Sequence, residues 1–334
     1  MKAVVLTGPG TLDLVERSEP DPDGLAIVAV DQVGICGTDL KIHAGHIPVA
    51  YPRIVGHELV GRVVDAGDGA LRPGTRVLVD PAVACGRCKP CRRGRPNLCR
   101  NGALMGRDVD GGLAERIAVD PERLHLVPDS ISSRAAALIQ VLGTCVHAET
   151  AVAGVAPGVA VVIGLGVAGL LHLQLLRLAG HRVVGVGRSP EKRALAMELG
   201  AEAAVEPGNV EELVADLARG DGADLVVEAV GTVGTLAQAI RLAGLGATVL
   251  VFGTITESKG GETFPWYDLY YKELTIVNPR AAIGSDYDAA ISMAADHKLE
   301  LEPLWSAAFS MADAAAAYEA LRPGSANLKV TIEL

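Results

Sequence analysis

The sequence predicts an α/β protein built from two parts of different character. The first half contains short apolar runs separated by glycine and proline, whereas the second half alternates apolar strands with helices. The length of 334 residues suits two domains. With 49% hydrophobic residues, the chain has ample material for two buried cores.

The first half predicts an all-β domain, either a barrel or a partly open sheet. Its candidate strands are bounded by turn residues. They are KAVVL (2–6), LAIVAV (25–30), GRVVDAG (61–67), TRVLVD (75–80) and AERIAV (114–119). Helix formers then begin near residue 133 and continue through SRAAALIQVLGTCVHAETAVA (133–153).

The second half predicts a doubly wound parallel sheet of six strands, covered by helices on both faces. Ser189 and Pro190 start one of the intervening helices, and Gly200 ends it. The strand segments are 158–164, 181–187, 202–205, 223–231, 247–253 and 273–278.

Three domain segments follow from this pattern. Residues 1–143 form the β-rich domain, which includes a cysteine-rich lobe at 84–100. Residues 144–276 form the parallel-sheet domain. Residues 277–334 are mixed helix and strand, and the closing LKVTIEL is expected to return to the first domain as a strand.

A glycine-rich turn marks the start of the parallel-sheet domain. Gly164, Gly166 and Gly169 have the G-x-G-x-x-G spacing, directly after an apolar strand and around Val167, which opens a helix. Such glycines permit the tight turn, close approach of the backbone to a pyrophosphate, and tight packing of helix on strand. This context predicts a Rossmann-type dinucleotide site. Val230 and Gly253, at the ends of later strands, are expected to line its nicotinamide side.

The residues after the next strand favour NADP(H) over NAD(H). NAD-binding units place an acidic residue there to hold the ribose 2′-hydroxyl. This chain instead has Gly187, Arg188 and Ser189, followed by Lys192. A guanidinium beside a hydroxyl suits a 2′-phosphate, although Arg188 as a solvated residue of the first helical turn is the alternative.

Charge and hydropathy exclude several classes of partner. The net charge is −10, so phosphate backbones are repelled and nucleic-acid binding is not expected. No apolar run reaches the ~20 residues of a membrane span, and the N-terminus does not resemble a signal peptide. We therefore expect a soluble cytoplasmic protein, in which six cysteines favour metal sites over disulfides.

Four cysteines lie close together in the cysteine-rich lobe, with the spacing C-x2-C-x2-C-x7-C. A closed tetrahedral zinc site suits this group, and an iron–sulfur cluster is the alternative. The residues are Cys85, Cys88, Cys91 and Cys99.

Cys36, in GICGTD, is by itself a core residue, a nucleophile or a metal ligand. The chain as a whole resembles the zinc-dependent medium-chain dehydrogenase/reductase family of alcohol, polyol and sugar dehydrogenases. The resemblance rests on GICGTD, on GHE with His57 and Glu58, on the spaced cysteines and on GLGVAG. It implies a GroES-like catalytic domain, a Rossmann domain and two zinc ions per chain.

The resemblance assigns roles to residues of the first domain. Cys36 and His57 match the ligands of the catalytic zinc, and Glu58 matches a third ligand or an exchangeable neighbour of the metal. Thr38 matches the hydroxyl that bonds the substrate oxygen and relays its proton. Asp39 matches the carboxylate that orients the ligand histidine. The four-cysteine lobe matches the structural zinc site.

Three positions depart from the alcohol branch. Gln140 stands where that branch has cysteine, and would offer an amide oxygen to the catalytic zinc directly or through water. Lys41 stands where a proton-relay histidine is common, so His43 is an alternative relay or a surface residue. Arg107 lies in a loop that faces substrate in the family, where it would bind an anionic group or remain solvated.

The expected activity is reversible hydride transfer between a secondary alcohol, of polyol or sugar type, and NADP. The alternative is an NADPH-dependent ketone reductase or secondary-alcohol dehydrogenase that acts on a non-polyol and includes anionic substrates. A zinc-ribbon binding module is disfavoured because it predicts a small basic domain. The family also implies a homodimer or homotetramer.

Overall fold

The computed structural model describes residues 1–255, 264–322 and 324–334. The chain divides into two compact units. The first unit comprises Met1–Gly143 and Ala282–Leu334, and the second comprises Thr144–Ala281. The sequence placed the second boundary after residue 276. Residues 277–281 stay with the second unit, where Asn278 donates a hydrogen bond to the carbonyl oxygen of Val251.

The first unit is built mainly from short antiparallel strands. In chain order they are β1 (Lys2–Gly8), β2 (Thr11–Glu16), β3 (Ala26–Gly34), β4 (Arg53–Ile54), β5 (Glu58–Asp65), β6 (Arg76–Val79), β7 (Ala82–Val83), β8 (Ala103–Leu104), β9 (Arg116–Val119) and β10 (Leu124–Leu126). Two further strands, β17 (Trp305–Ser310) and β18 (Lys329–Glu333), come from the C-terminal segment.

The main sheet of this unit has the strand order β10-β6-β5-β3-β18-β17, with β9 paired to β3. Two smaller sheets, β2-β1-β4 and β7-β8, complete the described strands of the first unit. The closing segment does return to this sheet as predicted, because β18 pairs antiparallel with β3 and parallel with β17. Five predicted strands are present, whereas the sequence did not predict β2, which folds back on β1 in a hairpin.

The helices of the first unit are between 4 and 12 residues long. They are α1 (Gly37–His43), α2 (Lys89–Arg92), α3 (Ser133–Ala136), α10 (Gly284–Ala295) and α11 (Ala314–Glu319). A further helix, α4 (Ile139–Thr150), starts in the first unit and ends in the second. The helix formers that begin near residue 133 therefore form two helices, α3 and α4, rather than one. Ala137 and Leu138 form a turn between α3 and α4.

The second unit contains the predicted parallel sheet. Its strands are β11 (Val159–Ile163), β12 (Arg182–Val186), β13 (Ala203–Val205), β14 (Ala223–Glu228), β15 (Ala243–Val251) and β16 (Thr275–Val277). The strand order is β13-β12-β11-β14-β15-β16, and every pairing is parallel. This confirms the six-stranded doubly wound sheet.

Helices connect the strands of the second unit. They are α5 (Val167–Leu178), α6 (Pro190–Glu198), α7 (Val210–Leu217), α8 (Val233–Leu242) and α9 (Trp266–Tyr271). All five residues of β11 are buried, as expected for a central strand covered on both faces. The predicted N-cap of α6 is confirmed, since the Ser189 hydroxyl accepts a hydrogen bond from the backbone N–H of Lys192. Among the described residues, no helix is both long and apolar enough to cross a bilayer.

Candidate metal centres and cofactor site

Strand pairing brings together three predicted ligands in the first unit. β3 ends at Gly34, which lies opposite Glu58 at the start of β5, so Cys36 follows directly beside His57 and Glu58. The ligand atoms of Cys36, His57 and Glu58 lie within 4.8 Å of one another. A Cβ on Gly34 would lie 2.6 Å from Glu58 Oε2, so this position requires glycine.

Asp39 fixes two parts of this group. Its Oδ2 accepts the backbone N–H of Cys36 at 2.8 Å, and its Oδ1 lies 3.1 Å from His57 Nδ1. Asp39 and His57 are both buried. Burial opposes the charged form of His57, but the Asp39 carboxylate raises the pKa of the imidazole well above its ordinary value. A proton on Nδ1 would face Asp39 and leave Nε2 for a metal ion.

Glu58 has a cationic partner that sequence reasoning did not identify. Lys329, on β18, is 2% exposed, and its Nζ pairs with Glu58 Oε2 and lies 3.4 Å from the Ile35 carbonyl oxygen. Burial disfavours the ammonium, but Glu58 and Cys36 raise the pKa of Lys329. The other carboxylate oxygen, Glu58 Oε1, is buried and has no described hydrogen-bond partner.

This donor set fits a zinc ion. A thiolate, an imidazole nitrogen and a carboxylate oxygen are all common ligands of Zn²⁺. A buried carboxylate oxygen without a partner is costly unless something occupies its lone pairs. An ion at this point would satisfy Glu58 Oε1. The charges also balance, since Lys329 offsets one of the anionic groups around Cys36.

Gln140 lies in the same unit, near the start of α4. It is 7% exposed, and its amide nitrogen lies 3.5 Å from the hydroxyl of Tyr287 on α10. Tyr287 is 1% exposed, and burial raises its pKa well above the ordinary value. Because the amide nitrogen of Gln140 faces the Tyr287 hydroxyl, the amide oxygen, Oε1, is the atom that could bind a metal ion or water.

The predicted substrate and relay residues have different surroundings. Thr38 lies in the first turn of α1 and is half-buried. His43, at the end of α1, packs against Tyr318 with ring centroids 5.0 Å apart, and burial lowers its pKa. Arg107 donates hydrogen bonds to Asp108 from Nε at 3.0 Å and from Nη2 at 2.6 Å, so its charge is already paired with a neighbouring carboxylate.

The four-cysteine lobe also forms a compact group. The sulfur atoms of Cys85, Cys88, Cys91 and Cys99 lie within 4.8 Å of one another. Cys88 Sγ is 3.4 Å from Cys91 Sγ and 3.8 Å from Cys99 Sγ. Tetrahedral zinc with Zn–S bonds of ~2.3 Å requires sulfur atoms ~3.8 Å apart, so these distances fit a closed zinc site. The backbone N–H groups of Cys91 and Arg100 lower the pKa of Cys88 to about 6, which favours its thiolate.

In the second unit, the glycine motif has the geometry of a phosphate-binding turn. Gly164 has a φ of +102°, a conformation that favours glycine. Gly166 precedes α5, and a Cβ there would meet no atom within 4 Å, so this backbone is open to a ligand. A Cβ on Gly169 would collide with the carbonyl oxygen of Gly164. Val167 begins α5, whose N-terminal amides are available to phosphates.

The loop after β12 presents Arg188 to solvent. Within the described part of the chain, its guanidinium forms no hydrogen bond or ion pair. Ser189 donates its hydroxyl to Glu191 Oε2 at 2.6 Å, a carboxylate the sequence interpretation did not consider. Lys192 is the N3 residue of the following helix turn. Gly187 is buried, and a Cβ at this position would lie only 2.9 Å from the side chain of Leu165.

Glu228 organises the other strand ends predicted to line the site. It is fully buried at the end of β14, and its Oε1 accepts the backbone N–H groups of Val230 and Gly231 and the hydroxyl of Thr235. A Cβ on Gly253 would lie 2.6 Å from Glu228 Oε2. Val230 is 48% exposed, so it presents an apolar surface at this edge of the sheet.

Sequence reasoning missed three positioning residues, and two of them left a signal in the sequence. Lys329 is the first residue of the closing strand KVTIE, and Glu228 is the last residue of the strand ADLVVE. Arg193 donates to the carbonyl oxygens of Gly187 and Arg188 and so shapes the loop after β12. Charged residues in apolar patterns are buried only when paired, and this rule identifies the first two.

Comparisons with known proteins agree with both units. The model of the alcohol dehydrogenase GroES-like domain matches residues 22–129, and the model of the zinc-binding dehydrogenase matches residues 167–296. The sorbitol dehydrogenase of Halalkalibacterium halodurans is 31% identical over 98% of this chain and 97% of its own length. The L-galactonate-5-dehydrogenase of Escherichia coli K12 is 32% identical over 96% and 94%.

Solved structures give the same result. A zinc-binding dehydrogenase from Sinorhizobium meliloti 1021, bound to NADP, has a TM-score of 0.89 and 33% identity and covers 100% of this chain and 99% of its own. The alcohol dehydrogenase RspB from Escherichia coli CFT073, in complex with NADH, has a TM-score of 0.91 and 28% identity, with coverage of 100% and 99%. The chain belongs to the zinc-dependent medium-chain dehydrogenase/reductase family and is an oxidoreductase of the alcohol and polyol dehydrogenase type.

Proposed function

We propose that this protein transfers hydride between the secondary hydroxyl of a polyol or sugar-like compound and NADP. The observation that carries the proposal is the group formed by Cys36, His57 and Glu58, with one buried carboxylate oxygen left for a ligand. The four-cysteine lobe already supplies a closed structural zinc site. A second ligand group with a free carboxylate oxygen is therefore better explained as a catalytic site. We propose two zinc ions per chain, one in each group.

The residues of the catalytic group have separate tasks. Cys36, His57 and Glu58 hold the catalytic zinc, and Gln140 contributes its amide oxygen directly or through water. When bound, zinc supplies a Lewis acid that lowers the pKa of the substrate hydroxyl, and the nicotinamide supplies the hydride acceptor. Asp39 holds the His57 ring in one orientation through Nδ1.

Proton handling is assigned to the side chain of Thr38. Its hydroxyl accepts the hydrogen bond of the substrate hydroxyl and passes the proton outward, since a hydroxyl both donates and accepts. Lys329 keeps Glu58 paired from the side opposite to the free oxygen. This pairing limits how far the carboxylate moves away from the ligand group.

The proposed substrate class rests on Gln140 and on the relatives. A neutral amide in place of a thiolate reduces negative charge around the metal, which strengthens its Lewis acidity. The relatives named for activity act on sorbitol and on L-galactonate. Both are polyhydroxylated, and the second is a sugar acid, so the proposal includes neutral and anionic members of this class.

The proposed preference for NADP rests on Arg188. It is exposed at the end of β12, where an acidic residue would otherwise hold the ribose 2′-hydroxyl. Glu191 opposes this preference because its carboxylate lies against Ser189. Solved relatives hold NADP in one case and NADH in another, so membership of the family does not by itself fix the cofactor.

The first experiment is a cofactor-reduction panel with the zinc-loaded protein. Neutral polyols and aldoses, simple secondary alcohols, and sugar acids are each tested with NADP⁺ and NAD⁺. Turnover of polyols or sugar acids with NADP⁺ is the expected result. Turnover of simple alcohols alone would refute the substrate proposal, and a preference for NAD⁺ would refute the cofactor proposal.

Two variants test the cofactor proposal at single residues. Arg188→Ala should weaken NADP⁺ binding by ~10-fold or more and change NAD⁺ binding little, because a charged hydrogen bond contributes ~1.5–3 kcal/mol. Glu191→Gln should strengthen NADP⁺ binding because it removes a charge that repels the 2′-phosphate. Equal changes for both cofactors would contradict the assignment of this loop.

A third variant tests the metal assignment independently of substrate. Cys36→Ser should reduce bound zinc from two ions per chain to one and abolish turnover. Zinc is counted by atomic absorption. Unchanged activity, or a zinc content that stays at two, would refute the role of Cys36.

We also propose that the protein is a homodimer or homotetramer, as its relatedness to this family suggests. The mass of the zinc-loaded protein in solution tests this proposal directly. A particle of 34.5 kDa, the mass of one chain, would contradict it.

A further inference from the structure

The four-cysteine lobe carries a dense positive charge on an acidic chain. Residues 84–100 include six basic residues and no acidic residue, although the whole chain has 40 acidic residues and a net charge of −10. The six basic residues are Arg87, Lys89, Arg92, Arg93, Arg95 and Arg100. We call these six side chains the lobe cations.

The lobe cations are exposed and unpaired. Each of the six residues is exposed, and none of their side chains forms a hydrogen bond or ion pair with another residue that the structure describes. Three arginines elsewhere in the first unit do have acidic partners. They are Arg53 with Asp110, Arg62 with Asp129, and Arg116 with Glu19. The lobe cations lack such partners because their own segment contains no carboxylate.

The lobe is a closed and compact loop. β7 pairs antiparallel with β8, so the segment between them leaves and re-enters the unit at one point. The four cysteine sulfur atoms inside the loop lie within 4.8 Å of one another. Four of the lobe cations adjoin one of these cysteines in the sequence. They are Arg87, Lys89, Arg92 and Arg100. The lobe cations therefore surround a single compact core.

This arrangement of charge has a cost when nothing binds to it. Like charges that are held close together repel one another, and the repulsion destabilises the folded loop. Zinc held by four thiolates would offset roughly two of the six positive charges, so a clear excess would remain. Anionic groups supplied by another molecule would relieve the repulsion.

We propose that the lobe cations form a docking surface for an acidic, extended segment of a partner protein. Five of the six are arginines, and the planar guanidinium group binds a carboxylate through two parallel hydrogen bonds. A flexible segment rich in Asp and Glu can wrap around cations that surround one core. Such a segment supplies the carboxylates that residues 84–100 lack.

Other polyanions fit the lobe less well. Residues 84–100 include no aromatic side chain on which the bases of a single strand could stack. A nucleic-acid duplex is stiff on this length scale and would reach only the cations on one side of the loop. A bilayer surface is also flat, and residues 84–100 expose no large apolar side chain that could enter it.

The experiment measures the binding of a defined acidic peptide to the full zinc-loaded chain. The probe is a fluorescein-labelled peptide of about 12 residues in which Glu alternates with Gly, which spans ~40 Å when extended. The control peptide has Gln in place of every Glu. Fluorescence anisotropy gives the Kd at ~50 mM and at ~300 mM salt. Neither substrate nor cofactor is present, so the outcome does not depend on the proposed reaction.

Two variants of equal net charge locate the binding surface. Each replaces three exposed basic residues of the first unit with Gln, and the side chains of all these residues have no partner among the described residues. The lobe variant carries Arg92→Gln, Arg93→Gln and Arg95→Gln. The control variant carries Lys2→Gln, Arg17→Gln and Arg72→Gln. The two variants therefore differ only in the place from which positive charge is removed.

The acidic peptide should bind the unaltered chain and the control variant with equal Kd. It should bind the lobe variant ~10–100-fold more weakly, because each exposed ion pair contributes a factor of ~2–5 to the affinity. The higher salt concentration should weaken binding by more than ~10-fold, and the Gln peptide should not bind.

Several results would overturn the proposal. They are no binding of the acidic peptide, equal weakening by both variants, and tighter binding of single-stranded oligothymidylate or of phosphatidylserine vesicles to the lobe. Sedimentation velocity adds one more. If the unaltered chain is an oligomer and the lobe variant alone dissociates, the lobe is occupied by a second copy of this chain and not by a partner protein.

A second measurement uses the unaltered chain and so covers a lobe variant that fails to fold. A carbodiimide activates a carboxylate of the bound peptide, and the amine of Lys89 then displaces the urea and forms an amide. Mass spectrometry of the digested protein should find this cross-link at Lys89 and not at Lys2, which is also exposed. Cross-links formed equally at both lysines, or none at Lys89, would overturn the proposal.

Discussion

A buried imidazole in the second unit makes stability depend on pH in a way that can be measured. His172, on α5, is fully buried, and its Nδ1 lies 2.6 Å from Glu149 Oε1 on α4. Burial opposes the charged form, but Cys145 and Glu149 outweigh it and raise the pKa of His172 from 6.5 to about 10. The ring also packs edge-on against Phe252, with centroids 4.7 Å apart.

The sign of the pH dependence follows from the raised pKa. The folded state keeps the His172 proton at pH values where the unfolded state has lost it. The stabilisation is therefore complete below about pH 6.5, and it disappears as the pH rises through about 10. Between pH 7 and pH 9 this single group should lose ~2.5 kcal/mol of its contribution to the free energy of unfolding.

The variant His172→Gln removes the titrating group and tests this value. Urea unfolding is followed by tryptophan fluorescence, at pH 7 and pH 9, with equal zinc in every sample. The free-energy difference between the unaltered protein and the variant should shrink by ~2.5 kcal/mol between the two pH values. Other titrating groups are common to both proteins and cancel.

A matched control is His181→Gln in the same unit. His181 is also buried, and its Nδ1 accepts the backbone N–H of Gly158, so its native contact is with a neutral donor. Its substitution should cost the same free energy at both pH values. If His172→Gln also shows a constant difference, His172 is neutral in the folded protein and the reasoning is wrong.

Three further predictions concern the metal groups. Lys329→Met leaves Glu58 as an unpaired buried charge, so it should lower the free energy of unfolding by ~3–5 kcal/mol in the presence of chelator and by less with zinc bound. Thermal unfolding in both conditions measures the two losses. Equal losses would contradict the proposed charge balance between Lys329, Glu58 and the metal. Asp39→Asn should weaken zinc at His57 by ~10–100-fold in chelator competition, and an unchanged affinity would refute its orienting role. Cys99→Ser should remove one zinc per chain and lower the unfolding temperature of the holoenzyme without changing KM. A changed KM in a variant that is fully folded would show that this metal takes part in the reaction.

Much of the fold was accessible from the sequence because its signals are local. A parallel strand buried on both faces must be apolar throughout, so β11 and β14 are evident from the sequence alone. The hairpin strand β2 was missed because four of its six residues are exposed or polar and it lacks a continuous apolar run. The break between α3 and α4 was missed because the segment contains good helix formers on both sides.

The site was accessible where chemistry requires specific residue types at fixed spacing. Spacing predicted the four-cysteine group and the phosphate-binding turn, whereas the group of Cys36, His57 and Glu58 was implied by the family resemblance; the residues of each ligand group do lie together in the structure. Residues that act over long sequence distances carried no such signal. Lys329 lies 271 residues from Glu58, and only the pairing of β18 with β3 brings the two side chains together.

The sequence by itself determined the family, the two-part architecture and the metal-ligating residue types, because each depends on local pattern or on the intrinsic chemistry of a side chain. Tertiary structure alone decided which charges are buried and which partners they have. It paired Lys329 with Glu58 and placed Glu149 against His172. These features depend on the free energy of removing groups from water, and burial is a property of the folded chain rather than of any segment.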